Sequence, residues 1–285
     1  MKLPEACLSC MYRKQQECSD DPGFISEVRT IIDTRDGRAT APYLSYLFNQ
    51  AYERRFGRIE SFAEIKKRYN ELALSMEDRL REEIRNAEDP LLQALLYARI
   101  GNYIDFSAVR DVSEEAFLSL FQSAHLREEE RETIDSFFRQ CSTAKSFLLI
   151  ADNCGEIVLD RLFLEELHRI YPELSLGVVV RGGEISNDAT REDARDVGLD
   201  KVAKIYDNGL PAAGIVYDML PEETRAAIEE ADVILAKGQA NYETMSGEGR
   251  HAFYSLLCKC DLFIEHFQVP RFTGLFLEES NHAYL

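Results

Sequence analysis

Three short polar clusters hold the residues most able to do chemistry: Asp152-Asn153 with Glu156, Asn187-Asp188, and Lys237 with Asn241. Asp152, Asn153 and Asp188 offer oxygen donors only. With no local His or Cys beside them, such a set suits a hard cation such as Mg²⁺ or Mn²⁺ rather than zinc. So few protein ligands leave coordination positions for water and substrate. Lys237 and the backbone N–H groups around Gly155-Glu156 could hold a phosphoryl group whose oxygens also touch the metal. A Lewis acid, a lysine and a helix N-terminus acting on the same oxygens suffice for phosphoryl transfer. Each cluster alone has a plainer reading, as a helix cap, a turn and a loop. Their weight comes from occurring together.

What brings them together is the pattern of elements around them. An apolar run, Phe147 to Ala151, stops at Asp152-Asn153, and Glu156 opens an amphipathic segment. That reads as a buried strand over 145–151, a tight turn and a helix over 156–170. Strands over 174–180, 202–206 and 232–236 follow, with helices over 193–197 and 221–230 between them. Arg181-Gly182-Gly183 lies between the second strand and its polar cluster. A strand over 252–257, a helix over 259–267 and a short edge strand over 275–278 complete this half. Strands alternating with helices imply right-handed crossovers and a mostly parallel sheet covered on both faces. In such a sheet the carboxyl ends of the strands share one rim, where ligands bind.

The first half is helical in its signals. Leu44, Tyr46, Leu47 and Ala51 recur at helical spacing, and a charged run over 59–87 carries Phe62, Ile65, Tyr69, Leu72, Leu74 and Met76 at roughly helical spacing. Asp89-Pro90 caps a helix over 91–99, Ser113-Glu114-Glu115 starts another, and Glu128–Gln140 is the last. The expected organisation is a helical part over 1–144 and an α/β core over 145–285. The expected fold class is α/β, a three-layer α/β/α with a mostly parallel sheet. Within the helical part, Gly101-Asn102 and Asp105 fit a simple helix end and turn; alternatively, Asn102 and Asp105 lean into the site.

Composition limits the partners. The 285 residues carry 33 Lys and Arg against 51 Asp and Glu, a formal net charge of −18. Nucleic acid and anionic membranes are held by basic patches, so neither is an expected partner. An anionic substrate would need cations placed in the site. No apolar run approaches the length of a membrane span, and Pro4 and Glu5 stand where a signal peptide would carry its apolar core. Seven scattered cysteines favour reduced thiols. The expectation is a cytoplasmic protein. Cys7 and Cys10 form a CxxC pair with no second pair to complete a zinc site. Cys154 has no nearby His to activate it and reads as a small spacer rather than a nucleophile.

These residues resemble a known family. DNCGEIVLD from Asp152, RGGEISNDATREDA from Arg181 and AKGQANYETM from Ala236 look like three signature blocks of the metal-dependent damage-control phosphatases, also known as the domain-of-unknown-function 89 family. CLSC at 7–10, GNYIDF at 101–106 and KC at 259–260 resemble further marks of its prokaryotic-type members; HFQVPRFTG at 266–274 is less typical. The likeness runs from about Leu3 to about Leu277. It implies an α/β/α core and metal-dependent removal of phosphate from small phosphorylated metabolites, such as sugar phosphates or damaged intermediates. It also implies a divalent metal on Asp152, Asn153 and Asp188, phosphate contact by Lys237, and a pocket lined by Glu156, Asn102 and Asn241. Asp152 and Asp188 are thus the expected catalytic carboxylates.

Two other classes compete. A Rossmann-like S-adenosylmethionine-dependent carboxyl methyltransferase would want a glycine-rich first loop, and Asp152–Glu156 has one glycine. A non-catalytic metabolite-binding protein would need pocket polarity but not two carboxylates around a metal. An aspartyl-phosphate mechanism with a second Asp two residues on fits poorly, because Cys154 holds that position.

Overall fold

The computed structural model describes residues 3–37, 39–57, 61–101, 121 and 126–279. In chain order its helices are α1 (Glu5–Cys18), α2 (Pro22–Asp33), α3 (Ala41–Phe56), α4 (Ala63–Ser75), α5 (Glu77–Asn86), α6 (Pro90–Ile100) and α7 (Arg131–Cys141). Strand β1 (Ser146–Ile150) follows, then α8 (Glu156–Ile170), β2 (Ser175–Val180), α9 (Arg191–Asp196) and β3 (Lys204–Asp207). The chain continues through α10 (Glu222–Glu230), β4 (Val233–Lys237), α11 (Gly238–Met245), β5 (Phe253–Leu257), α12 (Asp261–Phe267) and β6 (Gly274–Glu278). The helix expected from Ser113 lies outside the described residues.

The six strands form one sheet in the order β3-β2-β1-β4-β5-β6, all parallel except β6, which pairs antiparallel with β5 at the edge. β1 sits in the middle, with Leu149 level with Val178 of β2 and Leu235 of β4. The chain runs outward from β1 through β2 to β3, then returns to start again at β4. The order therefore reverses between β1 and β4, and a crevice opens there at the carboxyl ends.

Strand alternation divides the core into two layers. Phe147, Leu149, Val178, Val180 and Leu235 face α6, α7 and α8, whereas Leu148, Ile150, Val179, Ile234 and Ala236 face α10, α11 and α12. This is the expected three-layer α/β/α fold. The division at residue 144 is not a boundary between cores. α6 is apolar almost all round, with Leu91, Ala94, Leu95, Leu96, Ala98 and Ile100 buried, so it packs against α8 as part of one layer over the sheet. α1, α2 and α3 instead share a separate cluster around Phe24, Val28, Leu44 and Phe48.

The charged run over 59–87 is two helices, meeting at Met76, which is the C-cap of α4 and the N-cap of α5. The second difference matters more for function. After Lys237 the chain does not become a loop but enters α11 directly, because Gly238 turns it at φ +78°.

Candidate metal and phosphate site

The three polar clusters meet at the rim where β1, β2 and β4 end. Beyond β1 the chain stays extended for Ala151, whose N–H bonds the Val179 carbonyl at 2.9 Å, and then reaches Asp152. The loop after β2 folds back over it. Arg181 N donates to Ala189 O at 2.9 Å, Ala189 N to Asp152 O at 2.8 Å, and Cys154 N to Asn187 O at 2.8 Å. As a result Asn153 and Asp188 stand opposite each other in an isolated antiparallel bridge. Two residues far apart in sequence are thereby fixed by backbone hydrogen bonds, which is rigid support for a ligand set.

Glycines allow this convergence at two points. Gly155 turns at φ +80° into α8, and its N–H donates to Asn70 Oδ1 of α4 at 2.7 Å. Gly238 lies so close to Asp152 that a Cβ there would sit 2.1 Å from Oδ2. Gly238→Ala should therefore push the Asp152 carboxylate aside and force a non-glycine residue to positive φ, at a cost of about 1–2 kcal/mol from the backbone alone. Thermal unfolding and divalent-metal titration should both show the loss. Unchanged values for both would contradict the close approach.

Each candidate residue has a definite setting. Asn153 Nδ2 donates to Asp152 Oδ2 at 2.8 Å and to Glu156 Oε2 at 3.1 Å, which leaves Oδ1 as the amide's acceptor for another group. Asp188 receives Arg181 Nε on Oδ2 at 2.6 Å. Burial pushes the Asp152 carboxyl up to about 7, reinforced by the charges of Asp188 and Glu156. Asp188 is raised too, by burial, against the pull of Arg181. Two buried carboxylates that resist ionisation are short of positive charge. Together with the Asn153 carbonyl they make an oxygen-only donor set, which fits a hard divalent cation. Among the described residues no group of three or more His, Cys, Asp or Glu side chains could hold a metal ion, so the amide of Asn153 would have to be the third protein donor.

Lys237 and Asn241 lie deeper than a pocket lining. Lys237 is fully buried, and its Nζ donates to Glu156 Oε1 at 2.6 Å, Asp160 Oδ1 at 2.7 Å and the Ala98 carbonyl at 3.0 Å. An ammonium has three N–H groups, so in this arrangement Lys237 fixes Glu156 and offers no donor to a phosphate. Asn241 donates to the carbonyls of Lys237 at 2.6 Å and Ala151 at 3.1 Å, pinning the end of β4 to the end of β1. Asn102, and Asp105 with it, lie outside the described residues.

Three cations near the carboxylates were not picked out as site residues by sequence reasoning: Arg181, Lys259 and the buried Lys66, which pulls Asp188 towards its charged form. Arg181 is buried, with bonds to Asp152, Asp188 and Asn241. Its signal was available: an arginine at the end of an apolar strand, before two glycines, has to find buried anions. Lys259 is partly exposed and draws Asp152 towards its charged form. It is held nearby because its backbone N–H donates to Gln239 Oε1, on the first turn of α11, at 2.7 Å.

A cleft of about 800 Å³ adjoins Arg181, lined by α4 and the 181–193 loop, but neither Asp152 nor Asp188 lines it. Its Lys66, Lys67, Arg181 and Arg191 are outnumbered by Glu71, Glu184, Glu192, Asp193, Asp196 and Asp207, so it carries no positive excess to recruit an anion. The cleft and the oxygen donor set are thus separate features of the strand rim. Burial raises the Cys154 thiol well above its usual range, which removes it as a nucleophile.

A family model for the damage-control phosphatase ARMT1-like domain matches residues 4–274. A damage-control phosphatase of Archaeoglobus fulgidus is 33% identical over 273 residues, covering 92% of this chain and 93% of that protein. A damage-control phosphatase of Pyrococcus horikoshii is 27% identical over 285 residues, covering 95% and 96%. The crystal structure of a domain-of-unknown-function 89 family protein from P. horikoshii superposes with a TM-score of 0.80 at 26% identity, covering 98% of this chain and all of that one. Sequence, fold and full-length coverage agree: this chain belongs to the damage-control phosphatase ARMT1-like family.

Proposed function

We propose that this chain is a metal-dependent phosphatase that hydrolyses phosphate monoesters of small metabolites, with Asp152, Asn153 and Asp188 holding the divalent cation. The observation that carries this reading is the Asn153–Asp188 bridge, taken with the Arg181 guanidinium that bonds Asp152 and Asp188 alike, which together gather both carboxylates and the amide on the strand rim. A divalent cation bound there would polarise the phosphoryl oxygens and offset their charge.

The chain's own groups do the rest. Asn153 is oriented by Asp152 and Glu156, and Glu156 is held by Lys237. Lys259, at the partly exposed side, is the cation best set to meet a phosphate dianion arriving from solvent. The strong negative charge of the whole molecule, −18, makes such local cations necessary for an anionic substrate. No described helix is long and apolar enough to cross a membrane.

The direct test is hydrolysis of a generic aryl phosphate by protein stripped with EDTA. Turnover should appear on adding Mn²⁺, Mg²⁺, Co²⁺ or Ni²⁺ and vanish again with excess chelator. Turnover that ignores EDTA would overturn the reading. A panel of phosphorylated sugars and cofactor fragments then identifies the preferred ester.

A further inference from the structure

Arg181, like Lys237, is a fully buried cation, and its guanidinium is divided between the two carboxylates. Its Nε donates to Asp188 Oδ2 at 2.6 Å, Nη2 to Asp152 Oδ1 at 3.2 Å, and Nη1 to Asn241 Oδ1 at 3.1 Å. The side chain has no solvent exposure. It takes one oxygen from each carboxylate, while Asp188 Oδ1 accepts no hydrogen bond among the described residues. The planar fork of a guanidinium suits this double contact, and the single point charge of an ammonium does not.

We propose that Arg181 is a positioning residue that serves as the resident counter-cation of Asp152 and Asp188, sharing them with the divalent metal. This rests on the metal reading above. Burying two carboxylates side by side is costly unless a cation accompanies them. Arg181 supplies that charge before a metal binds, keeping the two ligands at fixed spacing. Once a metal arrives, the same carboxylates serve two cations. Arg181 therefore stabilises the metal-free protein more than the metal-bound one, and its presence sets a ceiling on metal affinity. A salt bridge that served the fold alone would stabilise both forms equally.

The comparison is between wild type, Arg181→Met, Arg181→Lys and the double variant Arg181→Met/Asp188→Asn, each followed by thermal unfolding at pH 8 with and without Mn²⁺. Arg181→Met should lower the melting temperature of metal-free protein, and Mn²⁺ should raise it by about twice the wild-type increment, since the increment grows with affinity for the folded state. Titration calorimetry should show correspondingly tighter Mn²⁺ binding. Arg181→Lys should fall between, because it keeps the charge and loses the fork.

The double variant tests the charge argument without metal. Removing one carboxylate together with its counter-cation should recover about half or more of the stability lost in Arg181→Met. Equal or smaller Mn²⁺ increments in Arg181→Met, or no recovery in the double variant, would overturn the proposal. If Arg181→Met does not fold without metal, refolding in Mn²⁺ but not in EDTA supports it, and failure in both, with the double variant also unfolded, sinks it. If wild type takes up no Mn²⁺, the metal reading fails, and the double variant still decides whether Arg181 is the counter-cation.

Discussion

Asp152→Asn should reduce metal-dependent phosphate-ester hydrolysis by about a thousandfold or more while leaving the fold intact. The change keeps the shape that Gly238 requires, since that glycine leaves Asp152 Oδ2 no room to move towards it. It removes one of the two formal charges available to a cation. It also breaks a pattern of acceptors: Asp152 receives Arg181 on Oδ1 and Asn153 on Oδ2, and an amide can accept from only one of them. Calorimetry should show Mn²⁺ binding lost or greatly weakened, and circular dichroism should be unchanged. A folded variant with normal turnover would remove Asp152 from the chemistry.

The same charge shortage sets a pH window. With the Asp152 carboxyl raised to about 7 by burial and by its anionic neighbours, protons compete with the metal for it. Mn²⁺ affinity of wild type should fall as pH drops from 8 to 6. Stability of the metal-free protein follows the opposite sign. The folded state binds a proton at Asp152 over a range where the unfolded chain, with its ordinary carboxyl value of 3.8, does not. Stability from this group is therefore greatest below the unfolded value and is lost as pH rises through about 7.

Much of this was readable in the chain because strand ends carry information. Asp152 follows and Lys237 ends an apolar run whose length marks a strand, Asp188 lies in the loop after a third, and parallel topology sends those strand ends to one rim. The helix over Glu156–Ile170 was legible for the same reason: an acidic opening, an apolar face and a proline just beyond it. What was not legible is where each side chain points once it arrives. Lys237, at the end of a fully buried strand, turns inward to Glu156 and Asp160 rather than outward. Arg181 was overlooked because its partners are 7, 29 and 60 residues away and become partners only when the loop folds back. The helix α11 was missed because its glycine start reads as a break; the positive φ that ends β4 also begins that helix. Periodicity reports which face is buried, and it is silent on the polar contacts made at the turns.

Lys237→Met should destabilise the protein by about 3–5 kcal/mol, because it strands two buried carboxylates without their cation. This separates a charge-fixing role from direct phosphate contact. Lys237, Glu156 and Asp160 are all fully buried. Burial opposes the charge of Lys237, and Asp160 and Glu156 more than offset it, so its ammonium is held above the usual lysine range. Asp160 has the weaker position. Burial lifts it to about 7 despite Lys237, and its Oδ2 has no hydrogen-bond partner among the described residues. One cation between two carboxylates leaves too little positive charge for both, and Asp160 is the one that resists ionising. Adding Asp160→Asn to Lys237→Met should therefore recover part of the lost stability, measured by denaturant unfolding at pH 8. Because Glu156 orients Asn153, the single variant should also bind Mn²⁺ more weakly. A phosphate clamp predicts a different result: an unchanged unfolding curve, unchanged metal affinity and a raised KM for every ester. That outcome would mean the lysine leaves Glu156 and Asp160 when substrate binds, and would restore it to the phosphate.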